Sequence, residues 1–114
     1  MTTTRTVWAV IVAAGLTGMA GEEMLEEGEY AAAEPLATLD LERSIQEYGR
    51  NAPAVAESLG NLAAVYRGQG RYAEAEPLYE RAVAIAEKAF GPEHTATALR
   101  LTNLASLYSD QGRY

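Results

Sequence analysis

The sequence contains no cysteine, which excludes disulfides, thiolate nucleophiles and cysteine-ligated zinc. That absence fits either side of a membrane. Histidine occurs once, as His94. A general base needs an oriented partner and a nucleophile, and a metal ligand needs companions. One isolated imidazole has neither. Bases are scarce: nine Lys and Arg face sixteen Asp and Glu, for a net charge of −7. The imbalance is local, because residues 22–58 carry ten acids and two bases while residues 59–114 carry six of each. So acidic a stretch argues against nucleic acid, whose phosphates demand a basic face. The acidic run Glu22-Glu23-Met-Leu-Glu26-Glu27 lacks the Asp/Asn-Gly spacing of a calcium loop and reads as a solvated helix face. The sequence therefore offers no catalytic set, no cofactor site and no metal site.

What is present is a repeat. Leu59-Gly-Asn-Leu-Ala-Ala-Val-Tyr-Arg-Gly-Gln-Gly-Arg-Tyr72 returns as Leu101-Thr-Asn-Leu-Ala-Ser-Leu-Tyr-Ser-Asp-Gln-Gly-Arg-Tyr114, 42 residues later. Upstream, Gly28-Glu-Tyr-Ala-Ala-Ala-Glu-Pro-Leu36 matches Gly70-Arg-Tyr-Ala-Glu-Ala-Glu-Pro-Leu78 at the same offset. Self-similarity at this spacing marks a repeat array of stacked supersecondary units.

Each unit reads as two antiparallel helices. Leu59, Leu62, Ala63, Val65 and Tyr66 follow helical spacing, so the first helix is amphipathic. Pro53 suits its first turn, and Gly68 and Gly70 stop it, with Gly70 available for a positive-φ turn. The second helix spans about Tyr72 to Phe90, with Ala75, Leu78, Tyr79, Ala82, Val83, Ala86 and Ala89 as its expected buried stripe. Pro77 lies at the edge of the tolerated first turn and should cost a hydrogen bond or bend the helix slightly. Gly91-Pro92 ends that helix, and Thr95 is the expected cap of the next one. Ala63, Ala75 and Ala82 let helix axes approach closely, while Tyr66, Tyr72 and Tyr79 fill the gaps between them.

These residues resemble the tetratricopeptide repeat of the longer, kinesin-light-chain type. The likeness rests on Leu59, Asn61-Leu62-Ala63, Tyr66, Gln69-Gly70, Tyr72, Glu74-Ala75-Glu76, Leu78-Tyr79, Arg81-Ala82, Ile85, Gly91 and His94. It is specific over residues 59–114 and weaker over 28–58. The first copy departs from the pattern, with Gly21, Met24, Ala37 and Asp40 where the central copy has Ala63, Tyr66, Tyr79 and Ala82. Asp40 either tilts to solvent or is covered by something else. The resemblance implies an all-α solenoid of antiparallel helix pairs, wound as a right-handed superhelix of about two and a half repeats. It divides the chain into a degenerate repeat at 21–58, a full repeat at 59–100 and the first helix of a truncated repeat at 101–114.

The resemblance also implies a non-enzymatic scaffold whose concave face, lined by the first helices, holds a peptide or partner helix. Asn61 and Asn103 recur where the family's asparagine faces that groove, and an amide can both donate to and accept from a peptide backbone. The other reading is that each bonds a neighbouring turn and fixes the register between repeats. Arg67 and Arg100 could add charge to the face, or could be solvated surface residues. The lysines of a chaperone-binding clamp are missing, with Ala64 and Gly68 in that region instead. His94 falls in the turn between repeats that the family often marks with histidine, and reads as structural. A different reading makes the chain a regulatory or structural segment of a longer protein whose catalytic or signalling domain lies outside it.

Residues 1–20 stand apart. Arg5 precedes the apolar run Val7–Leu16, followed by small residues at Gly18 and Ala20, as in a signal peptide. The run is shorter than the roughly 20 apolar residues of a membrane-spanning helix. It reads as a signal peptide, which favours an exported chain with no membrane segment once matured, or as an apolar segment capping the array in a cytoplasmic one. Roughly three helical repeats are usually needed to bury one another's apolar faces. Two and a half leave an edge after the last helix, through which the chain is expected to self-associate.

Overall fold

Proline and glycine set the helix boundaries. The computed structural model describes residues 27–112, which form four helices and turns, with no strand among them. They are α1 (Glu27–Tyr48), α2 (Pro53–Gly68), α3 (Tyr72–Phe90) and α4 (Thr95–Asp110). The readings of residues 1–20, of Gly21 and Met24, and of Glu22, Glu23 and Glu26 lie outside the described residues.

Pro53 occupies the first turn of α2, after Ala52 in an extended conformation. Its missing N–H would have had no partner there in any case. The four described glycines with positive φ fall into two pairs separated by the repeat: Gly70 and Gly112 at +75° and +72°, Gly49 and Gly91 at +92° and +91°. Only glycine takes such angles without cost. At Gly70 the reversal lets the N–H groups of Gly70 and Arg71 bond the carbonyls of Arg67 and Tyr66 at 3.0 and 2.8 Å, closing the end of α2. Both α1 and α3 run through an internal proline, Pro35 and Pro77.

One cap differs from the sequence reading. The cap of α4 is His94, not Thr95: its Nδ1 accepts from the Ala96 N–H at 3.0 Å, and its ring stacks on Phe90 with centroids 4.7 Å apart. Thr97, two residues past Thr95, is buried and donates to the Gly91 carbonyl at 2.7 Å, closing the turn from inside. The first helix begins at Pro53, as the sequence placed it, and its counterpart begins at Thr95.

Consecutive helices pack on one another, and α2 also meets α4, so the chain is an all-α stack of helix pairs. The core lies in three apolar clusters. Leu62 and Val65 of α2 meet Ala33 and Ala37 of α1. Val55, Ala56 and Leu59 meet Ala82 and Ile85 of α3. Ala63, Ala75 and Tyr79 surround Leu107 of α4. Leu78 packs against all three. Ala63, Ala75 and Ala82 are buried as small residues between close helices, as expected. The stripe on α3 needs one correction. Ala89 is exposed, and Ile85, absent from the expected stripe, is buried instead. The whole last turn of α3, residues 87–90, is exposed, so helical periodicity carries Ala89 past the core.

Candidate functional site

The residues nominated for binding lie on α2 and α4, the first helices of adjacent units, and the two helices touch. Asn61 is half-buried near the middle of α2, and Asn103 is half-buried at the equivalent place on α4. Neither side chain makes a hydrogen bond among the described residues. Each thus keeps two donors and an acceptor oxygen available on a partly desolvated surface.

The two arginines have different surroundings. Arg67, near the end of α2, gives its Nε–H to Asp110 Oδ2 of α4 at 2.5 Å. Burial disfavours the cation, but the hydrogen bond and charge of Asp110, with a smaller contribution from Tyr79, outweigh that and raise its pKa. Its charge is committed to tying α2 to α4. Arg100 makes no ion pair among the described residues. Its Nη1 lies 3.3 Å from the place a Cβ on Gly60 would take. Arg100 therefore reaches from α4 across the backbone of α2 beside Asn61. Arg100 thus approaches α2 at Gly60, next to Asn61 in sequence, and shares α4 with Asn103, while Arg67 is paired with Asp110.

A second charged cluster was not visible in the sequence reading. Arg71, in the turn between α2 and α3, donates through Nη1 to Glu34 of α1 at 2.6 Å and through Nε to Glu74 at 2.9 Å. Its guanidinium also lies 4.3 Å from the centroid of the Tyr66 ring. The hydrogen bond to Glu74 raises the Arg71 pKa, with Glu34 adding to it and desolvation opposing it. A signal was available: Glu76, Tyr108, Gln111 and Arg113 follow Glu34, Tyr66, Gln69 and Arg71 by the same 42 residues.

Asp40 is exposed on α1, the first of the two placements the sequence allowed, yet it is not idle. Ser58 of α2 donates to Asp40 Oδ2 at 2.9 Å, and Ser44 lies 2.8 Å from the Ser58 hydroxyl. Since the Ser58 proton goes to the carboxylate, Ser44 donates to Ser58. This chain of three satisfies the two buried hydroxyls, Ser44 and Ser58, with Asp40 and Ser44 standing where α3 has Ala82 and Ala86. Among the described residues no helix is long and apolar enough to cross a membrane, and no group of three carboxylates or histidines is placed to hold a metal.

A family model described as tetratricopeptide repeat matches residues 23–88 and, overlapping, 55–114. The chain is a tetratricopeptide repeat protein. A comparison with curated proteins gives no match. Tetratricopeptide repeats generally mediate protein–protein interaction and are typically non-catalytic scaffolds. The two matches overlap over residues 55–88, which hold most of α2 and α3.

Proposed function

We propose that this tetratricopeptide chain, of the kinesin-light-chain-like 42-residue type, is a non-catalytic scaffold that holds an extended peptide or partner helix across α2 and α4. Its units are the second helix of a degenerate repeat (α1), one full repeat (α2 and α3) and the first helix of another (α4). The observation that carries the reading is the pair Asn61 and Asn103. The same amide appears on two touching helices, each half-buried and without a hydrogen-bond partner among the described residues. Each amide can donate to and accept from a peptide backbone, so an extended backbone crossing both helices could bond both whatever its side chains. Arg100 is the cation beside this path. Arg67, paired with Asp110, positions α4 against α2 rather than contacting the ligand.

The test is selection of binders from a random peptide display library, followed by affinity measurement on the Asn61→Ala/Asn103→Ala variant. Losing a hydrogen bond at each position should weaken binding by about tenfold or more, with far-UV circular dichroism unchanged. Selected peptides that bind the double variant as tightly as the parent chain would remove the asparagines from the site. We also infer that the chain self-associates through α4, on which Leu99 and Leu101 are exposed.

A further inference from the structure

Two glycines of α2 each have a side chain from another helix over them. At Gly68 it is the Tyr30 ring of α1, and at Gly60 it is the Arg100 guanidinium of α4. Gly60 lies inside the helix and is buried. A glycine there makes folding up to about fivefold less favourable than an alanine would, so its presence calls for a reason. Backbone conformation does not supply one, because Gly60 is not among the glycines with positive φ. Close approach of helix backbones does not supply one either. Among the described residues, and apart from α2's own neighbouring backbone, Arg100 Nη1 is the one atom within 4 Å of an added Cβ, at 3.3 Å. Nor does the repeat demand glycine, since the counterpart on α4 is Thr102, which carries a side chain. What the missing Cβ leaves room for is the guanidinium.

Arg100 is itself out of pattern. Its counterpart on α2 is Ser58, which donates to Asp40 of α1. The counterpart of Asp40 on α3 is Ala82, so the acceptor for that role is not repeated. Arg100 instead reaches α2 and is half-buried, at the residue next to Asn61 in sequence. We propose that Gly60 is a positioning residue for peptide recognition: by lacking a side chain it seats the Arg100 guanidinium against α2, where its N–H groups donate to acceptor oxygens of a peptide held by Asn61 and Asn103. This role rests on the peptide-binding reading above and adds the residue that sets where its cation stands. The guanidinium donors form a rigid planar fork, so moving its seat redirects all of them together. Gly60 thus gives up helix stability for the placement of a side chain on another helix.

The test pairs stability with affinity for a peptide selected on the parent chain from the random display library. With Gly60→Ala the guanidinium must give way slightly, and with Gly60→Thr, the residue type of the next repeat, it must leave its seat. Gly60→Ala should raise the urea midpoint and yet weaken binding by about twofold to threefold. Gly60→Thr should weaken it by about tenfold, as should Arg100→Ala, the loss of one hydrogen bond from a charged group. In the Arg100→Ala background neither Gly60 substitution should weaken binding further. Without peptide, nitrogen relaxation of the Arg100 Nε–H should show that side chain freed in Gly60→Thr. An Nε–H as rigid there as in the parent chain means that the guanidinium is not seated on Gly60, and overturns the proposal. So does a Gly60→Ala chain that is less stable with affinity unchanged, which makes the glycine a packing residue. Equal weakening with and without Arg100 puts the new side chain in the path of the peptide and overturns it too. These three outcomes leave the scaffold reading standing, because that reading is tested by the asparagine pair. Selected peptides indifferent to Asn61→Ala/Asn103→Ala remove the scaffold reading, and the role of Gly60 falls with it. Should threonine unfold the chain, as circular dichroism would reveal, Gly60→Ala carries the same comparisons.

Discussion

Substituting Gly68 by alanine sets two effects of opposite sign against each other at the end of α2. A Cβ there would lie 2.2 Å from Tyr30 Cε1 and 2.3 Å from its Cζ, well inside the 3.0 Å that real contacts respect. The Tyr30 ring must move, and it packs on the Ala33, Ala37, Leu62 and Val65 cluster. Forcing such a shift costs about 1–3 kcal/mol. Against this, replacing a helical glycine by alanine gains up to about 1 kcal/mol, and Gly68 does not have the positive φ that would oppose a side chain. The net expectation is a loss of about 1–2 kcal/mol, or roughly 4–8 °C in Tm per kcal/mol for a domain of this size. In a Tyr30→Ala background the obstacle is absent, so the same change should stabilise by about 0.5–1 kcal/mol. Urea titrations followed by far-UV circular dichroism, on all four members of the cycle, measure both values. If Gly68→Ala stabilises both backgrounds equally, Tyr30 does not rest on Gly68 and the account of the α1–α2 contact is wrong.

Leu107→Ala removes the fully buried α4 side chain that joins Ala63, Ala75 and Tyr79. It should cost about 2–5 kcal/mol by thermal melt. His94→Ala deletes the cap that accepts from Ala96 N–H. A loss of about 0.5–2 kcal/mol is expected, with faster amide exchange confined to the first turn of α4. The hydrogen bond from Arg71 holds the Glu74 carboxyl below its ordinary range, against desolvation. A depressed folded pKa contributes stability that is complete above the unfolded carboxylate's pKa and is lost as pH falls through the folded value. Glu74→Gln should therefore flatten the acid side of a Tm-against-pH curve and leave its slope near neutrality unchanged.

Much of the fold was legible because the repeat states each feature more than once. Pro53, Gly70 and Gly91 act where they stand for reasons of backbone geometry alone, and both ends of α3 fell where the sequence placed them. Local chemistry was less decisive at the α4 cap. Thr95 has the residue type that caps, but the turn after Gly91 presents the His94 imidazole to the Ala96 N–H instead. Helical periodicity gave Ala89 a place in the stripe, though the last turn of α3 is exposed. Long-range polar pairing was the least readable. Arg67 reaches Asp110, one residue past its own repeat counterpart, because stacked units are offset along the array. Ser44, Ser58 and Asp40 meet across two helices with nothing in their sequence spacing to announce it.

The central claim is that the surface joining α2 and α4 is where this chain takes its partner. The most direct measurement is a titration of the isotopically labelled chain with a selected peptide, followed by amide chemical shifts residue by residue. The account predicts that the shifts concentrate on α2 and α4 around Asn61, Arg100 and Asn103, with α1 and the outer side of α3 unmoved. Shifts confined to α1, or to the Leu101 side of α4, would place the partner on another face and contradict it.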